Sequence, residues 1–105
     1  MVSVSDSTFN NEVLNSDLPV LAYFNASWVN ECSLLTPLIK QVAEQSRGKL
    51  KVVSINADEN DIVMQRYNIK SLPEMILFKN GKIADCIIGT RSKSQISDWI
   101  SEMVL

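Results

Sequence analysis

The chain has 105 residues, 46% hydrophobic and 21% charged, with a formal net charge of −2. These proportions fit one compact globular domain spanning residues 1–105 and exclude a disordered tail or a coiled-coil rod. No basic cluster offers a footprint for a phosphate backbone, and no apolar run reaches the ~18–20 residues of a membrane span. Nucleic acid and membrane are therefore not expected partners. Met1-Val2-Ser3-Val4-Ser5-Asp6 lacks both the charged and the apolar segment of a signal peptide, so a cytoplasmic location is expected.

Two residue counts narrow the chemistry. Histidine is absent, which removes the imidazole that usually serves as general base or metal ligand. Between the two cysteines, Cys32 and Cys86, lie 53 other residues. They form no Cys-x-x-Cys pair and cannot build the usual four-ligand zinc site. No metal and no cofactor are expected.

In chain order, Val2 to Val4 predict a short edge strand. Ser5-Asp6-Ser7 offers N-cap chemistry to a short helix with Phe9, Val13 and Leu14 on one face. Leu18 to Phe24 is an almost unbroken apolar run, the mark of a strand buried on both faces. After Trp28, Leu34, Leu35, Leu38, Ile39, Val42 and Ala43 recur at helical spacing. Pro37 interrupts that helix by removing one backbone donor, and Ser46-Arg47-Gly48 ends it.

Leu50 to Ile55 predicts another buried strand, followed by a short helix near Asp61 to Tyr67 and a break at Ser71-Leu72-Pro73. Glu74 to Lys79 and Lys82 to Ile88 are two strands joined by Asn80-Gly81, a strong hairpin signal. Ser92-Lys93-Ser94-Gln95 resembles a capping box, opening a last helix with Ile96, Trp99, Ile100 and Met103 inward. The element order mixes parallel crossovers with one antiparallel hairpin. It predicts an α/β fold with a central mixed sheet flanked by helices on both faces.

Val20-Leu21-Ala22-Tyr23-Phe24-Asn25-Ala26-Ser27-Trp28-Val29-Asn30-Glu31-Cys32 resembles the strand, active-site loop and helix start of the thioredoxin family. Pro37 matches the family's helix-kinking proline and Val53 to Asn60 its third strand and following loop. Ser71-Leu72-Pro73 matches its cis-proline segment, Phe78-Lys79-Asn80-Gly81 its hairpin, and Gly89 its late glycine. The resemblance covers practically the whole chain and implies a thioredoxin-like fold.

The departures fall on the chemistry. Where the family has Trp-Cys-Gly-Pro-Cys, this chain reads Trp28-Val29-Asn30-Glu31-Cys32. On the resemblance, Val29 stands in place of the nucleophilic cysteine and Cys32 in place of the resolving one. Tyr23 replaces the buried aspartate that assists proton transfer, and Ser54 its lysine neighbour. Disulfide reduction needs a thiolate to attack and a second thiol to release the mixed intermediate. Val29 has no nucleophilic atom.

Cys32 is expected to be a small buried packing residue, with residual monothiol reactivity as the alternative; a pairing with Cys86 is the third option. Trp28 serves either as core or as a binding face. Met64, Met75 and Met103 predict filler rather than a cofactor box, and Asp58-Glu59-Asn60-Asp61 a solvated helix cap rather than a metal site. In the family, the backbone before the cis-proline pairs with a bound peptide as an added strand, which needs no cysteine. A partner-binding face is thus expected from Trp28, Val29, Asn30, Glu31, Leu72, Pro73, Ile88 and Gly89. The expected function is a monomeric thioredoxin-like domain that binds a protein or peptide partner without dithiol reduction. The alternative is a monothiol redox protein acting through Cys32.

Overall fold

A computed structural model describes all 105 residues, and its elements follow the expected order. Strands β1 (Val2–Ser3), β2 (Val20–Asn25), β3 (Lys51–Asn56), β4 (Glu74–Lys79) and β5 (Lys82–Ile88) form one sheet in the order β1-β3-β2-β4-β5. β1 and β2 run parallel to β3, whereas β4 is antiparallel to both β2 and β5. The helices are α1 (Asn30–Gln45), α2 (Asp61–Arg66) and α3 (Lys93–Met103).

The apolar run of β2 is buried on both faces because helices cover both. Leu21 and Tyr23 point into one layer with Leu35, Ile39 and Val42 of α1 and Ile96, Trp99 and Ile100 of α3. Val20, Ala22 and Phe24 point into the other, with Phe9, Val13 and Val63 of α2. The α/β arrangement with helices on both faces is thus the observed one.

Three apolar residues depart from expectation. Leu18 is exposed because the strand begins only after Pro19. Leu34 is 73% exposed, since the buried stripe of α1 runs Cys32, Leu35, Ile39, Val42, and adjacent Leu34 falls off it by one residue's rotation. Met103 sits in the last turn of α3 and is also exposed. Pro37 lies within α1 as expected, leaving the Ser33 carbonyl without its ordinary helical donor.

The turns carry the predicted chemistry. Asn80 and Gly81 have φ of 54° and 76°, the left-handed pair that a two-residue hairpin requires. Gly81 is doubly constrained, because a Cβ there would meet the Leu14 carbonyl oxygen at 2.9 Å. The capping box at α3 is present: the Gln95 amide donates to Ser92 Oγ at 3.2 Å and the Ser92 amide to Gln95 Oε1 at 2.9 Å.

The N-terminal cap is a different matter. Ser5 begins the first turn, but the stretch after Phe9 is π-helical over Asn10–Leu14, with the Asn15 amide bonded to the Asn10 carbonyl. Asp6 does not cap it. Its carboxylate instead accepts from the amides of Val63 at 2.9 Å and Ile62 at 3.3 Å, capping α2. Asn60, the residue preceding α2, is turned away: its side chain donates to the Asn56 carbonyl and accepts from the Asp6 amide.

Glu74 is the one carboxylate in the core, 7% exposed at the start of β4 between Phe24 and Ile88. It makes no salt bridge, and burial pushes its carboxyl above the usual range. A raised folded-state pKa stabilises below the unfolded value, and that contribution is lost as pH rises through the folded value.

Two outcomes follow for stability. Asp6→Ala should lower the unfolding free energy by about 1–2 kcal/mol in urea melts, the usual cost of a lost helix cap. Glu74→Gln should match the parent in acid and become the more stable protein as pH rises through the raised Glu74 pKa. Thermal melts across that range check it; equal or lower stability at neutral pH would contradict it.

Candidate functional site

Residues 26–29 link the end of β2 to α1, at the carboxyl end of a central strand, where open α/β sheets place their sites. Val29 has extended backbone angles and takes the N-cap position of α1, so the helix starts one residue later, at Asn30. Cys32 is its third residue and is 3% exposed, with its amide donated to the Val29 carbonyl at 3.0 Å. The expectation of a buried Cys32 holds in the structure.

Trp28 resolves to the outside. It is 69% exposed, and its indole Nε1 donates to both carboxylate oxygens of Asp58 at 3.0 and 2.9 Å. One edge of the ring is tethered while much of its surface faces solvent. Asp58 comes from the acidic run after β3 and is thus occupied by Trp28. Asn56 prepares that loop, accepting the Asp58 amide at 2.9 Å.

Trp28, Val29 and Leu72 line one depression of about 390 Å³. Ala57 and Met64 add apolar lining, and Asp58 and Lys70 add one carboxylate and one cation. The Leu72–Pro73 peptide bond is cis, and the Gly89 amide donates to the Pro73 carbonyl at 2.8 Å, tying the ends of β4 and β5 together. Pro73 is itself buried. Ile88 pairs with Glu74 and is 56% exposed on the sheet face that carries the depression. Asn30 and Glu31 are exposed on the first turn of α1 but do not line it.

Cys32 opens elsewhere. A second recess, of about 430 Å³, is lined by Asn25, Ser27, Cys32, Ser33 and Thr36 among others, and Trp28, Val29 and Leu72 are not part of it. Beneath it the Tyr23 hydroxyl lies 3.1 Å from the Cys32 carbonyl oxygen and 2.8 Å from Thr36 Oγ1. Thr36 Oγ1 donates to the same carbonyl at 2.7 Å. Burial, the largest effect, pushes the Tyr23 phenol up to about 12. It therefore stays protonated near neutrality and cannot cycle a proton as a carboxylate would. Ser54 accepts a hydrogen bond from Asn25 Nδ2 at 2.8 Å.

Cys86 cannot reach Cys32. In the β4–β5 register Cys86 stands opposite Ile76, whose side chain belongs to the layer of α2. Cys32 lies on α1 with Leu35 and Ile39, in the opposite layer. The sheet separates the two thiols, and both are free. Burial and the charges of Glu74 and Asp85 push the Cys86 thiol up.

Sequence reasoning missed Asp58, Met64 and Lys70 as site residues. Met64 carried only the signal of a filler residue, and a tryptophan–aspartate pair 30 positions apart has no local signature. Asn25, Ser33 and Thr36 were equally silent as neighbours of Cys32.

A family model described as Thioredoxin matches residues 1–102. The thioredoxin of Rickettsia felis is 44% identical over 102 residues, covering 97% of each chain. Thioredoxin 1 of a Nostoc species is 41% identical over 99 residues, covering 94% of this chain and 92% of that one. The thioredoxin of the red alga Porphyra purpurea is 37% identical over 101 residues, 96% of this chain and 94% of its own. With that coverage on a five-stranded mixed sheet of the expected topology, the chain belongs to the thioredoxin family.

Proposed function

We propose that this domain binds a polypeptide partner through the Trp28–Leu72 face and does not reduce disulfides by a dithiol mechanism. The observation that carries the reading is the pairing of an aliphatic side chain, Val29, with a buried lone thiol in the active-site loop. Val29 borders the depression beside Trp28 and Leu72, while Cys32 is 3% exposed and faces a different recess.

The chemistry follows from counting sulfur atoms. A dithiol reductase attacks the substrate disulfide with one thiolate, forming a mixed disulfide, and the second thiol displaces the reduced substrate. With Cys86 beyond the sheet, a mixed disulfide at Cys32 would have no internal thiol to resolve it. Tyr23 adds to this, because a protonated phenol committed to the Cys32 carbonyl and Thr36 offers no base for the second step. Binding an extended backbone beside Leu72 and Pro73 needs none of this machinery. In this reading the domain works as a cytoplasmic monomer, without metal or cofactor, and Asn30, Glu31 and Gly89 frame the rim of the partner site.

A second reading is favoured by the polar recess: Cys32 borders it and would meet small molecules there. Such a protein would act as a monothiol: the Cys32 thiolate attacks a low-molecular-weight disulfide, forming a mixed disulfide and releasing one thiol. Incubation with oxidised glutathione followed by peptide mapping decides between them, since an adduct on Cys32 in the folded protein supports the monothiol.

Three outcomes test the principal reading. Insulin reduction should show no turnover above the reductant alone. Capture of extended peptides should weaken with Trp28→Ala and with Leu72→Ala; unchanged capture by both variants would remove the proposed face. Val29→Cys should restore neighbouring thiols yet stay roughly 100-fold below an ordinary thioredoxin, the low end of what general acid–base assistance contributes. Full activity in that variant would show that Tyr23 and Glu31 matter little.

A further inference from the structure

Pro73 separates two features of one sheet face: on one side the depression with Leu72, on the other Glu74. Side chains two apart on this segment share that face, and Phe24 and Ile76, which neighbour Glu74, belong to its layer. Across the register from Glu74 stands exposed Ile88, and exposed Cys86 is the diagonal neighbour. No helix covers this end of β5.

Glu74 is more than nine-tenths buried, yet it forms no hydrogen bond and no ion pair. No fully enclosed side-chain oxygen lacks a partner, so its carboxylate must reach solvent through a gap in apolar surroundings. The cations closest in sequence, Lys70 and Lys79, form no salt bridge with it, and neither do the remaining ones. Arg91 donates to the Thr90 carbonyl, and the two salt bridges are Arg47–Glu44 and Lys51–Glu12. A carboxylate held this way, with little competing water, gains far more from an arriving cation than an exposed one does.

We propose that Glu74 anchors a basic side chain, arginine or lysine, of the polypeptide bound along the Trp28–Leu72 face. The inference rests on the polypeptide-binding reading and gives its partner a chemistry: an extended segment with an apolar residue for the Trp28–Leu72 depression and a basic residue beyond Pro73. Ile88 supplies the apolar wall over which the stem of the basic side chain packs. A guanidinium fits best, since its fork satisfies both carboxylate oxygens at once.

Three extended peptides that differ at one central position, arginine, glutamine or glutamate, test this by calorimetry on the intact protein. The arginine peptide should bind at least about tenfold tighter than the glutamine one, the low end for a hydrogen bond to a charged group. Glu74→Gln should erase that preference. Glu59→Gln, which removes an exposed acid in the segment between β3 and α2, should leave the preference intact. If Glu74→Gln keeps the arginine preference, or Glu59→Gln removes it equally, the anchor is overturned while polypeptide binding stands. If none of the three peptides binds the parent protein, the polypeptide-binding reading itself fails.

Discussion

Burial of β2 on both faces is the constraint on which the rest of the structure depends. Its side chains alternate between two sealed layers, Leu21 and Tyr23 into one, Val20, Ala22 and Phe24 into the other. That alternation requires helices on both faces, and the chain at the end of β2 must turn sharply into α1 to provide one of them. The loop of residues 26–29 is where that turn is made, so the position of Trp28, Val29 and Cys32 follows from core packing. A strand with one wet face would have needed no such loop.

The same constraint divides the thiols. Every residue is assigned to a layer by its parity along its strand or by the stripe of its helix. Cys32 shares the stripe of Leu35 and Ile39, and Cys86 shares the face of Ile76, so the sheet itself stands between them. Tyr23 belongs to the layer of Cys32 and fills the space beneath α1, spending its hydroxyl on the Cys32 carbonyl and Thr36. An ionised carboxylate at this buried position would carry a desolvation cost that the phenol avoids. The Tyr23 hydroxyl thereby anchors the start of α1.

Much of this was legible in the sequence because it depends on local periodicity and turn chemistry. The apolar run of β2, the Asn80-Gly81 turn and the Ser92–Gln95 box each announce themselves within a few residues. Leu34 shows the limit: two adjacent leucines both fit a helical pattern, and only the tertiary stripe decides which one is buried. Asp6 shows it again, because a capping residue displays its chemistry but not its client, here the start of α2 more than 50 positions away. The site divides in the same way. Trp28, Val29 and Leu72 were recognisable from the motif they sit in, whereas Asp58, Lys70 and Glu74 acquire meaning only when the sheet brings distant segments together.

On the proposed reading Cys32 is a structural thiol, 3% exposed in the first turn of α1. Titration of the native protein with a thiol reagent, with the labelled residue identified by peptide mapping, tests it most directly. One thiol per chain should react, mapping to Cys86, and the second should appear only in denaturant, mapping to Cys32. Prompt labelling of Cys32 in the folded protein would show instead an accessible, reactive thiol.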